Sequence, residues 1–181
     1  MKSLLYKYRA IFRFLGLFLG TYLLLGFFYA FYLHYFQQNN HPDFITELVA
    51  KQSSMLLSGF GFAGSVVPDG GMPAMTLLVN NMPVATIVEG CNAVSIIILF
   101  VAFLISFAQD FKKTILFLFV GMVLIYSVNI IRIALLSFLL YKYPEHTEFL
   151  HGVVFPGIIY GMVFLLWIIW IRITPNSNNN A

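Results

Sequence analysis

Apolar runs separated by polar stretches order this chain. Four of them, at about 10–36, 90–108, 114–141 and 151–172, are long enough to predict bilayer-crossing helices, which take about 20 apolar residues each. The stretch 37–88 differs. It opens with QQNNHPDF, a loop signal. Residues 44–57 (FITELVAKQSSMLL) place apolar positions at helical spacing and predict a short amphipathic helix. GFAGSVVPDGGMP is rich in glycine and proline and reads as loop. In AMTLLVNNMPVATIVEG, β-rich runs flank Asn80 and Asn81, which tolerate positive φ, so a hairpin is expected. The pattern therefore predicts an all-α integral membrane protein with about four transmembrane helices. Residues 1–181 form a single membrane domain, with a small extracytoplasmic insertion of helix and β-hairpin over about 37–88.

Composition supports the membrane class. The chain is 60% hydrophobic and only 9% charged, where a soluble domain carries about a quarter charged residues. The net charge of +3 calls for no nucleic-acid partner. Its basic residues carry topology instead. Lys2, Lys7, Arg9 and Arg13 precede the first run, Lys112 and Lys113 lie between the second and third, and Arg172 ends the fourth. Lys51 and Lys142 fall on the opposite side, with Asp43, Glu47, Asp69, Glu89, Glu145 and Glu148. Both termini are thus expected in the cytoplasm. The first run is too long for a signal-peptide core of about 7–15 residues and reads as an uncleaved helix. The tail TPNSNNNA reads as a polar, disordered end.

The candidate chemistry lies at one level. Counting from the cytoplasmic ends, Cys91 stands 18 residues from Gln109, Arg132 18 from Thr114 and His151 21 from Arg172. At 1.5 Å per helical residue these are depths of about 27, 27 and 31 Å, close to the outer edge of a hydrocarbon core about 30 Å thick. An arginine inside an apolar run costs about 2.5 kcal/mol or more at mid-helix, so Arg132 marks function or else snorkels to lipid phosphates. Cys91, the single cysteine, follows Glu89-Gly90 at a loop-to-helix junction. A helix N-terminus there would lower the thiol pKa and offer free N–H groups; a small core residue is the plainer reading. His151 opens the last run with Glu148 three residues earlier, either orienting the ring or solvated in a loop. Asn129 shares the helix face of Arg132 and could hold its guanidinium; Asn92 could donate to a substrate. Cys91, Ser95, Ala102 and Ser106 form a small-residue stripe, Gly157 and Gly161 another, and Pro156 is placed to kink the last helix. His34, His41 and His146 lie elsewhere on the outer side; His146 and His151 lack close metal-ligand spacing and a cysteine or carboxylate set around them, and the reading requires neither metal nor cofactor. A thiol, a proton carrier and a fixed cation suit nucleophilic attack on a peptide or acyl group through a thioester. The hairpin has either a covering role or that of a free edge for an extended peptide.

TIVEGCNAVSIIILF, NIIRIALLSF and EFLHGVVFPGIIYGMVF together resemble the exosortase/archaeosortase family of membrane-embedded cysteine transpeptidases. The order Cys91, Arg132, His151 on successive helices carries the resemblance, over roughly residues 85–165. The short length and the Glu-Gly-Cys-Asn junction look most like the exosortase F branch of Bacteroidetes-type bacteria. The resemblance implies that Cys91 attacks the carbonyl of a C-terminal sorting signal, that His151 serves as base and then acid, and that Arg132 stabilises the oxyanion or positions the substrate. It implies a multi-pass protein of the bacterial inner membrane acting on membrane-anchored proteins at the extracytoplasmic face, with a small membrane protein as partner. Two other functions fit the residues: a non-catalytic scaffold of an envelope export system, and a thiol-dependent acyltransferase acting on lipids or lipoproteins.

Overall fold

Helices form where the apolar runs are unbroken. The computed structural model describes residues 8–38, 41–108 and 110–173. Lys2, Lys7, Gln109, part of the QQNNHPDF loop and the tail 174–181 lie outside the described residues, as does the side chain of His146. Helix α1 spans Arg9–Gln37, α2 Phe44–Gly59, α3 Val94–Ser106, α4 Phe111–Lys142 and α5 Phe155–Ile173. A π-helical turn, Leu150–Val154, leads into α5 without a break. The Asp43 carboxylate starts α2 by accepting from the amides of Ile45 and Thr46, and Asp110 starts α4 in the same way through Lys112 and Lys113.

Among the described residues, three helical segments are long and apolar enough to cross a membrane: Arg9–Gln37, Phe111–Lys142 and Leu150–Ile173. The run expected as a helix over 90–108 gives only 13 residues of α-helix, Val94–Ser106. The shortening has a local cause. Glu89–Cys91 form a 3-10 turn, and Ala93 takes a left-handed φ of 66° just before the helix. A left-handed residue cannot continue a right-handed helix, so α3 starts after it.

Three antiparallel strands, β1 (Gly64–Pro68), β2 (Met75–Val79) and β3 (Met82–Ile87), pair in the order β1-β2-β3. Asn80 and Asn81, at φ 51° and 65°, make the turn between β2 and β3. β1 lies where glycine and proline suggested loop; the apolar pair Val66-Val67 between them is too short to show as a strand in the sequence. A Cβ on Gly64 would stand 2.6 Å from the Ser54 carbonyl oxygen, so only glycine lets β1 start this close to α2. Asp69 anchors the β1–β2 loop. Its carboxylate accepts from the Gly71 amide and the Thr76 hydroxyl, which hold it below the usual carboxylate range.

Among the described residues, most buried apolar side chains fall in two clusters. Alternate residues of β2 (Met75, Leu77, Val79) and Ile87 of β3 pack on Val49, Ala50 and Leu57 of α2 and on Ile133 and Ala134 of α4. The second core joins Phe100 and Leu104 of α3, Ile125 of α4 and Val163, Leu166 and Trp170 of α5. Thus α4, 32 residues long and about 48 Å by its helical rise, runs through both: a cap of α2 and sheet around its second half, and a helical bundle around its first.

Close approach in the bundle rests on Gly121. A Cβ there would overlap the ring of Phe100, which is fully buried and packed against Phe117. Gly121→Val is expected to destabilise the protein by about 1–3 kcal/mol through overpacking. Thermal unfolding in detergent would read this as a lowered midpoint, and an unchanged midpoint would mean that Phe100 moves freely. By contrast, a Cβ on Gly157 or Gly161 would meet nothing within 4 Å, so their stripe faces outward and joins no helices among the described residues. Of the stripe on α3, Ala102 is buried while Ser95 is exposed.

Candidate active site

Cys91 lies where the two cores meet. It packs partly against the cap core, while Ala93, two residues on, belongs to the bundle core. Its backbone is held by asparagines. The Asn129 side-chain amide of α4 donates to the Cys91 carbonyl at 2.8 Å, and the Asn129 carbonyl oxygen accepts from Arg132 Nη1 at 3.1 Å. Asn129 is fully buried, so it fixes the guanidinium and the cysteine backbone relative to each other. The helical spacing from 129 to 132 puts both side chains on one face.

Asn92 is the second clamp and is also fully buried. Its amide donates to the Tyr29 hydroxyl of α1 at 2.8 Å and to Thr46 Oγ1 of α2 at 3.1 Å. Its side-chain oxygen accepts from the Val94 amide at 3.0 Å, capping α3. Tyr29 in turn donates to the Glu89 carbonyl at 3.4 Å. One asparagine therefore ties α1, α2 and the start of α3 to the turn that carries the thiol. Nothing in the spacing of Tyr29 or Thr46 singled them out in the sequence; a buried threonine in the first turn of an amphipathic helix was the available hint.

Two details differ from the sequence expectation. Cys91 is not in the first turn of α3; it ends a 3-10 turn, and its amide donates to the Val88 carbonyl at 2.8 Å. That amide is therefore occupied within the turn. The Asn92 side-chain carbonyl likewise takes the Val94 amide at the helix start. This leaves Arg132 as the cation beside the cysteine. Its electrostatic neighbours are the Cys91 thiol and the Tyr160 hydroxyl of α5, a residue the sequence did not single out. Among the described residues Arg132 has no carboxylate partner, and its buried Nε has no hydrogen-bond acceptor. A cation held by one neutral amide keeps its charge available for a developing negative charge nearby.

His151 stands in the π turn that leads into α5, with its side chain exposed. Among the described residues its side chain forms no hydrogen bond, so the structure does not join it to Cys91 or to Glu148, which is also exposed. The structure thus brings together Cys91, Asn92, Asn129 and Arg132, and leaves His151 and Glu148 apart. Among the described residues, no three His, Cys, Asp or Glu side chains converge to hold a metal ion.

Asn129→Ala is expected to leave the Cys91 carbonyl and Arg132 Nη1 unpaired, which costs about 1–3 kcal/mol for buried groups. Asn129→Asp should not rescue the contact, since a carboxylate accepts from Arg132 but cannot donate to a carbonyl. A thermal midpoint lowered in both variants would show this, and recovery in the aspartate variant would contradict it.

This is a helical membrane protein with a cysteine and an uncompensated arginine at the junction of bundle and cap. A family model, transmembrane exosortase, matches residues 8–171, and the chain belongs to that family. No curated protein and no solved structure matches it.

Proposed function

We propose that the protein is a membrane-embedded cysteine peptidase and transpeptidase that cleaves C-terminal sorting signals at the extracytoplasmic face of the bacterial inner membrane. The observation that carries this reading is the Cys91–Asn129–Arg132 arrangement within an exosortase chain. The Cys91 thiolate attacks the scissile carbonyl carbon, and the new C–S bond places negative charge on the carbonyl oxygen. Arg132 stabilises that oxygen. Collapse expels the amine, which takes a proton from the His151 imidazolium, and leaves a thioester on Cys91. An acceptor nucleophile, deprotonated by His151, then releases the acyl group. The π turn supports the role given to His151. It carries one residue more than an α turn, and such turns recur at functional sites.

Charge placement supports the orientation. Arg9, Arg13, Lys112, Lys113 and Arg172 lie at helix ends remote from Cys91, as cytoplasmic basic residues would. Substrates in this reading are membrane-anchored proteins, and a small membrane protein is a partner. The Glu89-Gly90-Cys91-Asn92 junction supports a place in the exosortase F branch.

Two observations favour the scaffold reading: His151 has no hydrogen bond to Cys91, and the Gly157–Gly161 face is open to a neighbouring helix. Alkylation separates the two. Purified wild type, Arg132→Ala and His151→Ala are treated with iodoacetamide from about pH 5 to 9, bracketing the range of activated thiols, and followed by intact mass. Fast labelling at low pH that slows in both variants supports the peptidase. An ordinary thiol profile, equal in all three, sinks it in favour of the scaffold.

A further inference from the structure

We infer that the free edge of β3 is the substrate's docking strand, pairing with an extended peptide backbone and delivering its scissile bond to Cys91. The inference rests on the peptidase reading and names the surface that would recognise its substrate.

The sheet's hydrogen-bond pattern identifies the groups on offer. The Asn80 amide donates to Ala63 at the β1 side, and antiparallel strands alternate the direction of their backbone groups. Met75, Leu77 and Val79 of β2 therefore turn toward β3, where their partners are Ile87, Ala85 and Met82. Beyond the irregularity, Thr86 of β3 directs its backbone groups away from β2, and the extended Val88 continues the alternation. β3 is the last strand of the sheet, and among the described residues no other strand pairs with it.

Edges of this kind are usually blunted. Here Pro83, which has no N–H, stands at the hairpin end of β3, and the irregularity between Leu77 and Leu78 falls opposite it. The end toward Cys91 carries no such device: Thr86 and Val88 keep their amides, and Thr86 is exposed. The edge is thus closed at the hairpin and open toward the thiol. Val88 is three residues from Cys91, and its carbonyl already fixes the turn by accepting the Cys91 amide. Strand edge and nucleophile are consequently one rigid segment. A peptide bound by its main chain at Thr86 and Val88 is registered against the thiol without any side-chain recognition, the geometry of strand addition. Side-chain pockets would then add selectivity to a backbone-based grip.

The test uses the full chain in phospholipid nanodiscs and three probes: iodoacetamide, an acetylated tri-alanine chloromethyl ketone, and the same peptide with its internal amide nitrogens methylated. In each, the Cys91 thiolate displaces halide from carbon, and intact mass gives the rate. The peptide ketone is expected to label wild type about tenfold faster than its methylated form, as a pair of main-chain hydrogen bonds would give. Thr86→Pro, which removes the outward amide, should cancel that preference. Thr86→Ala, which keeps the amide, should retain it. Iodoacetamide rates should be the same in all three proteins. If Thr86→Pro does not fold, the methylated peptide on wild type decides alone. An activated thiol that does not distinguish the two peptides overturns the edge and leaves the peptidase standing. A thiol of ordinary reactivity overturns the peptidase itself. A change of oligomeric state in Thr86→Pro with the peptide preference intact would assign the edge to a second copy of this chain and overturn the proposal.

Discussion

Cys91→Ala is expected to abolish cleavage of a membrane-anchored protein bearing a sorting signal, while the variant still inserts and folds. Removing the nucleophile of a hydrolase costs on the order of 10⁶ in turnover. The structural cost is small by comparison, because Cys91 is only partly buried and its carbonyl, which binds Asn129, remains. Surface and half-buried substitutions of this size usually stay within about 1 kcal/mol. The measurement is a paired one: processing of a tagged substrate in cells, and thermal unfolding of the purified variant. Processing at the wild-type rate by a folded Cys91→Ala protein would falsify the peptidase. Arg132→Lys is a useful companion. An ammonium keeps the charge but loses the planar fork held by Asn129, so it should not restore full activity to this position.

The second large effect belongs to Asn92. Asn92→Ala removes the donors to Tyr29 and Thr46 and the acceptor for the Val94 amide in one step. Loss of the helix cap costs about 1 kcal/mol, and buried groups left without partners about 1–3 kcal/mol. The lesion also frees the turn that carries Cys91 from both α1 and α2. The expected result is a clear loss of thermal stability together with a Cys91 alkylation rate that no longer depends on Arg132. Asn92→Asp keeps the cap acceptor and loses the donors, so it should recover stability in part and leave the reactivity defect. A variant that is destabilised but keeps the Arg132 dependence would show that Asn92 serves the fold alone.

Periodicity and length made much of this architecture legible. The runs at 10–36 and 114–141 end within three residues of α1 and α4, because uninterrupted apolar sequence leaves no other structure for the backbone. Phe44–Gly59 was readable from its helical spacing, and the turn at Asn80-Asn81 from residues that accept positive φ. The start of α3 was hidden. Ala93 is a strong helix former, and only its tertiary surroundings hold it at a left-handed φ. The π turn was hidden for a related reason, since an extra residue in a helix has no compositional mark. At the site, Asn129 and Arg132 could be paired from their spacing on one helix. Links that cross the chain, such as Thr46 to Asn92 and Arg132 to Tyr160, have no local signal at all.

The division into two cores has a mechanical consequence. Cap and bundle share no buried residue; α4 passes through both as a common spine. Units packed separately open separately, at free energies below that of global unfolding. Where they meet, at Cys91, polar contacts of Asn92 and Asn129 tie the turn to α1, α2 and α4. Such a seam can widen around the spine and close again with both interiors dry. Amide exchange would then resolve two cooperative blocks along this chain, with residues 88–91 following the cap and Ala93 the bundle.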